Sequence, residues 1–158
     1  MAAFIEQIVP YYWLVCGGIV LCGRVLSVQW SATFSLLVWV ILGICMDMLI
    51  PVIMALDTTL ARQLWYWCWI TIYSTIVLVI SVAHQQRGEL PSQLCRTICH
   101  SAFAMMLLQL ARYLDRMIIK TDVLHSVYQF GVPAINFAVA IAALYWLGRT
   151  LNQKKGNN

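Results

Sequence analysis

Residues 32–56 read ATFSLLVWVILGICMDMLIPVIMAL, an apolar run broken by one charged side chain, Asp47, and one proline, Pro51. A helix needs about 20 apolar residues to cross a hydrocarbon layer ~30 Å thick. This run is long enough, and a soluble domain has little use for it. The rest of the chain agrees. Of 158 residues, 62% are hydrophobic and 10% charged, whereas soluble domains carry about 25% charged residues. Mean hydropathy is +0.80. The composition excludes a soluble enzyme, a disordered chain and a nucleic-acid-binding domain. The expected fold is all-α: one polytopic membrane domain over residues 1–158, a bundle of five transmembrane helices, or four if one segment lies on the surface.

Working outward from residues 32–56, the other apolar segments are 4–23, 64–83, 94–114 and 123–147. Trp30 and Ser31 precede the second segment as a short turn. Asp57, Thr58, Thr59 and Arg62 form the turn after it. The third segment opens with Trp65, Tyr66, Trp67 and Trp69, an aromatic cluster suited to a headgroup boundary. Residues 84–93 form a hydrophilic loop, and residues 148–158 a basic tail. The segment 94–114 needs Arg96 and Arg112 to snorkel if it spans. Its rival is an amphipathic helix on the surface. Phe103 to Leu108 put apolar groups in every direction of the helix, which favours a span. Beyond it, Arg112, Asp115 and Arg116 stand at i+3 and i+4 and can pair on one face.

Net charge is +4, from ten Lys and Arg against six Asp and Glu. With five spans, Arg24, Arg87, Arg96, Arg149, Lys154 and Lys155 fall on one side, and Arg62, Arg112, Arg116 and Lys120 on the other. The positive-inside rule then places the N-terminus outside and the C-terminus inside a bacterial-type inner membrane. The first charged residue is Glu6, not a lysine or arginine, so the first segment is expected to stay in the mature chain. Arg149, Lys154 and Lys155 are read as an inside-facing tail before a lipid-headgroup anchor.

Spans associate through close packing and polar contacts. Ala134, Ala138 and Ala142 recur every four residues, with Gly131 one turn earlier, and define a helix-packing face on the last segment. Gly18 and Cys22 make a shorter face on the first. The partner of either face is a helix of the same chain or of another copy.

Little chemistry is offered. The six cysteines mostly fall inside spans, where Cys is a small hydrophobe. Cys95 and Cys99, followed by His100, lack the second pair that structural zinc requires. No metal, haem or other cofactor is expected, and no catalytic residue. Asp47 stands apart, because a carboxylate inside a span is costly and by default functional. Pro51 has no N–H to return to the Asp47 carbonyl, and Gly43 leaves room one turn away. A buried Asp47 favours its neutral form unless a cation pairs with it. If the helix instead covers residues 27–48, Asp47 lies at the surface.

The leading functional expectation is a non-catalytic accessory or assembly subunit that works by helix packing. The alternatives are an oligomeric pore former, including a phage-type lysis protein, and a small proton- or cation-coupled transporter using Asp47. The expected partners are the lipid bilayer and a second copy or another membrane protein, not nucleic acid.

Overall fold

The computed structural model describes the backbone of residues 2–25 and 29–156, with side chains for 11–25, 29–153 and 155. Glu6 and Lys154, used above to set topology, lie outside the described side chains, and Asn158 outside the described residues. Five α-helices make up the fold: α1 (Ala2–Val25), α2 (Trp30–Met54), α3 (Thr58–Arg87), α4 (Gln93–Tyr113) and α5 (His125–Gly156). A π-helical turn, Leu114–Ile119, extends α4. No strand occurs among the described residues.

Local chemistry sets the helix ends. The Asp57 carboxylate caps α3 by accepting from the Thr59 N–H at 3.1 Å, so Thr58, Thr59 and Arg62 belong to the helix and not to a turn. Trp30 and Ser31 likewise open α2. Gly88 ends α3 at φ +63°, a conformation glycine adopts without steric penalty. Ser92 then caps α4 through the Cys95 N–H at 3.1 Å. The hydrophilic loop expected at 84–93 therefore shrinks to 88–92. His84 to Arg87 stay helical because no breaker precedes Gly88. The basic tail is also helical as far as Gly156.

The short connections make sequential helices antiparallel neighbours. The first end of the bundle gathers the start of α2, the end of α3, the start of α4 and the end of α5. The second end gathers the opposite termini. The α4 helix packs against α2, α3 and α5, and α1 closes the bundle against α2 and α5. Its inward face runs Leu94, Ile98, Ala102, Met105, Gln109 and Arg112, and it lies inside the bundle.

The main core fills the half nearer the first end. Leu36 and Trp39 of α2, Ile76 and Ile80 of α3, Ile98 and Met105 of α4, and Val139 of α5 are buried together. The outer surface is equally apolar. Leu14, Leu21, Met48, Leu78, Ile118 and Ile141 are all exposed. Four helical stretches are long and apolar enough to cross a membrane: Trp30–Met54, Thr58–Arg87, Gln93–Ile119 and His125–Gln153. In α1 the described apolar part is Tyr11–Val25.

Candidate functional site

Asp47 and Pro51 both lie within α2, with Asp47 half-buried and Pro51 exposed. Gly43 sits one turn before Asp47. A Cβ added there would come within 2.0 Å of the Trp13 ring, far closer than atoms approach. Only glycine lets the indole of α1 lie across α2 at this level. That placement brings Trp13 Nε1 to Asp47, to which it donates a hydrogen bond. A second indole bond runs the other way, from Trp39 Nε1 to the Tyr12 hydroxyl at 2.8 Å. Two tryptophan–oxygen bonds thus join α1 to α2.

Asp47 and Trp13 line a cavity of about 310 Å³ between the helices. The α3 helix supplies Trp65, Trp69 and Tyr73, and α4 and α5 supply Gln109 and Tyr128. Trp69 stacks on Tyr73 with ring centroids 5.3 Å apart. Trp65 Nε1 donates to the Tyr128 hydroxyl at 3.2 Å, and that hydroxyl donates to Gln109 Oε1 at 3.1 Å. Gln109 is 1% exposed, so this chain satisfies an amide oxygen that would otherwise be stranded. Trp69 Nε1 is buried with no partner among the described residues. Such a group carries a desolvation penalty.

A second cavity, of about 340 Å³, adjoins the first and shares Trp65 and Tyr128 with it. Its lining includes Arg62, Arg112, Arg116 and His125. Arg112 is 3% exposed and pairs with Asp115 at 2.6 Å. It also pairs with Asp122 and lies 3.3 Å from His125 Nδ1. Asp115 accepts further bonds from the Thr121 hydroxyl and the Leu124 N–H. The expected i, i+3 pair forms, but Arg116 is exposed and the second carboxylate comes from beyond the helix. The Arg112 guanidinium beside Asp122 holds its carboxyl below the usual range.

The first end holds a different polar cluster. Ser31 Oγ lies 2.7 Å from His84 Nε2, and His84 Nδ1 lies 2.8 Å from the Ile80 carbonyl. A carbonyl only accepts, so in the neutral ring Nδ1 carries the proton and Nε2 accepts from the Ser31 hydroxyl. Ser31 Oγ in turn accepts the Ser92 N–H at 2.9 Å. Ser31 is 1% exposed. Its hydroxyl both donates and accepts, and the cluster pins α2, α3 and the α4 cap together.

On α5 the bundle-facing residues are Val132, Ile135, Val139, Ala143 and Trp146. Gly131 is half-buried, where a Cβ would meet Leu108 of α4 at 3.0 Å. Ala142 is half-buried against the core. Ala134 and Ala138 are exposed, as are Gly18 and Cys22 on α1. The small-residue face therefore splits. Gly131 and Ala142 meet helices of this chain, and Ala134 with Ala138 looks outward.

The aromatic cluster opening α3 divides in the same way. Trp67 is exposed, but Trp65 and Trp69 turn inward as cavity walls. Trp13, Gln109 and Tyr128 were not singled out by sequence reasoning. A glutamine in the apolar stretch before Arg112 was the one available signal. Cys95 and Cys99 lie near His84 and His100 in a small hollow of about 180 Å³. No group of three or more His, Cys, Asp or Glu suited to a metal occurs among the described residues. The chain matches no family model, no curated protein and no solved structure.

Proposed function

We propose that the protein is a multi-span integral membrane protein acting as a small, non-catalytic, proton-coupled carrier with its binding site at Asp47. The apolar exterior supports the membrane part. So many large exposed apolar side chains suit a bilayer and not water. The observation that carries the carrier reading is the lining of the 310 Å³ cavity. Among the described residues Asp47 is its one charged group, and Trp13 is the carboxyl's one described partner. An ionised carboxylate held among aromatic rings needs a cation, and a proton serves when no ligand is bound. A ligand that displaces the proton couples its own movement to proton movement. Toward the first end the interior is filled by Trp39, Ile76 and Met105. That filled half, among the described residues, argues against a single-chain pore.

Proteoliposomes with an imposed pH gradient test the reading. Given a panel of labelled small cations, anions and neutral solutes, wild-type vesicles should accumulate at least one solute above protein-free vesicles. Asp47→Asn should fall to the protein-free level while keeping its helical content and elution volume. No accumulation by a folded wild type removes the carrier.

The accessory-subunit reading rests on a separate observation, the outward Ala134 and Ala138. Small outward side chains let another helix approach closely. On that reading Ala138→Leu abolishes association, and Asp47→Asn has no functional effect.

A further inference from the structure

Resting on the carrier reading, we infer that the ligand of the Asp47 cavity is an organic monovalent cation of the quaternary or tertiary ammonium class. Three features of the cavity support this class, and each excludes an alternative.

The first is charge. Among the described residues Asp47 is the charged group on the wall, and no Lys or Arg lines the cavity. Its partner is the neutral indole of Trp13. A carboxylate offers about four lone-pair positions, so one N–H leaves most of its capacity unused. The neighbouring cavity makes the opposite arrangement. There the buried Arg112 is already matched by Asp115 and Asp122. The charge on the described wall of the first cavity is thus negative, whereas Arg62 and Arg116 add positive charge to the neighbouring wall. An anionic ligand would meet Asp47 without a compensating cation.

The second feature is the wall. Trp13, Trp65 and Trp69 stand with Tyr12, Tyr73 and Tyr128 around one space. Aromatic faces carry negative quadrupolar potential and attract cations within about 6 Å of the ring centroid. A neutral apolar ligand would fit such a wall but would gain nothing from Asp47. Alkylammonium groups gain from both, because their charge is spread over C–H surface that needs no hydrogen bonds.

The third is size and donor type. At about 310 Å³, the space matches the small end of ligand pockets, roughly 300–1,000 Å³. A hard inorganic cation such as calcium wants about six to eight oxygen ligands at close range. This wall is mostly ring carbon, with few oxygens.

Binding and proton release balance as an exchange. The neutral Asp47 carboxyl gives up its proton, and the carboxylate pairs with the entering cation, so the cavity's net charge is unchanged. The other titratable groups on the wall are Tyr12 of α1, Tyr73 of α3 and Tyr128 of α5, and α4 contributes the Gln109 amide. Tyrosine hydroxyls are uncharged at neutral pH. Affinity should therefore rise with pH as Asp47 gives up its proton.

The test is calorimetric titration of the purified full chain in detergent with benzyltrimethylammonium. Benzenesulfonate serves as the anion of similar size, and neopentylbenzene as the uncharged isostere. The cation should bind, and the other two should bind at least tenfold more weakly. Asp47→Asn should weaken cation binding by about tenfold or more, the change expected when a contact to a charged group is lost. Trp69→Leu should weaken it less. Trp67→Leu removes an exposed indole outside the cavity and should leave binding unchanged. Equal binding of the cation and its uncharged isostere overturns the inference, as does cation affinity unaltered in a folded Asp47→Asn. Cation binding without vesicle accumulation supports this ligand class and removes the carrier. Accumulation of an anion or neutral solute, with no cation binding, keeps the carrier and overturns the ligand class.

Discussion

The two ends of the bundle handle buried polar groups in opposite ways. At the first end, Ser31, His84 and the Ser92 N–H satisfy one another, and His84 borders only a small hollow of about 180 Å³. Arg87 lies 3.9 Å over the Trp30 ring, which in turn packs on His84. In the half nearer the second end, Asp47 and Gln109 face a hollow, and Trp69 Nε1 has no described partner. A polar group paired within a solid core gives stability. One that borders a void, with bonding capacity unused, costs stability and is the usual signature of a binding site. The comparison assigns the first end to holding the fold and the cavity half to function, and substitutions can test each assignment.

The largest effect should come from Arg112, which ties the second end together on the wall of the second cavity. Replacing it with Met removes the partner of Asp115, which is 4% exposed. Breaking a buried pair from one side costs about 3–5 kcal/mol. Thermal unfolding in detergent should show a large loss, with Asp115→Asn in the same chain restoring part of it. Unchanged stability would mean that water already reaches Asp115.

Ser31 and Asp47 form the sharpest contrast. Ser31→Ala strands the Ser92 N–H and His84 Nε2, at about 1–3 kcal/mol for a buried group left unpaired. Asp47→Leu removes a carboxyl whose one described partner is Trp13. It should leave stability level or improved while abolishing ligand binding, the trade expected where function keeps a destabilising group. Equal destabilisation by the two substitutions would dissolve the contrast between the ends.

Much of this was legible in the sequence, for identifiable reasons. The all-helical fold follows from apolar runs of spanning length. Asp47 announces itself because charge inside such a run is costly, and Gly43 sits one helical turn away. What the sequence does not hold is the rotation of each helix. A helix that is apolar all round has no preferred inward face, so periodicity cannot say which residues meet. The alanine spacing of α5 is real, yet Val139 and Ala143 face the core and Ala138 looks out. Trp13, Gln109 and Tyr128 acquire their roles from partners in other helices. No local pattern records those pairings.

Gly43 supplies the next test of the cavity half. Ala at this position puts a methyl group into the Trp13 ring. Overpacking of this kind costs about 1–3 kcal/mol, and Trp13 must leave Asp47. Ligand affinity should fall, and the fluorescence of the displaced indole should shift. At the first end, Gly23→Ala meets Thr33 Oγ1 and the Trp146 ring at 3.2 Å each. That contact is tight but relieved by small movements, so the loss should be smaller and ligand affinity unaltered.

On α5, Val139→Ala leaves a void in the core where the side chain is 0% exposed. A loss of about 1–2 kcal/mol is expected from the buried methyl groups removed. Ala138→Leu should leave the unfolding of a single chain unchanged and alter only association between chains. Sedimentation in detergent separates the two, since one substitution moves the melting temperature and the other moves the mass.

The smallest effect concerns pH at the second end. Asp122 lies in the connection between the π-helical turn and α5, with its side chain 67% exposed. Its carboxyl is held below the ordinary range, first through the hydrogen bond from Arg112. A carboxyl with a lower value folded than unfolded stabilises the fold above its unfolded value, near 4 for aspartate. That contribution disappears as pH falls through the folded value. The contribution of an exposed pair is small and is screened by salt. Between pH 6 and pH 3, wild type should therefore lose slightly more stability than Asp122→Asn, and the difference should shrink at high salt. A difference as large as that of Arg112→Met would mean that Asp122 is enclosed with the guanidinium.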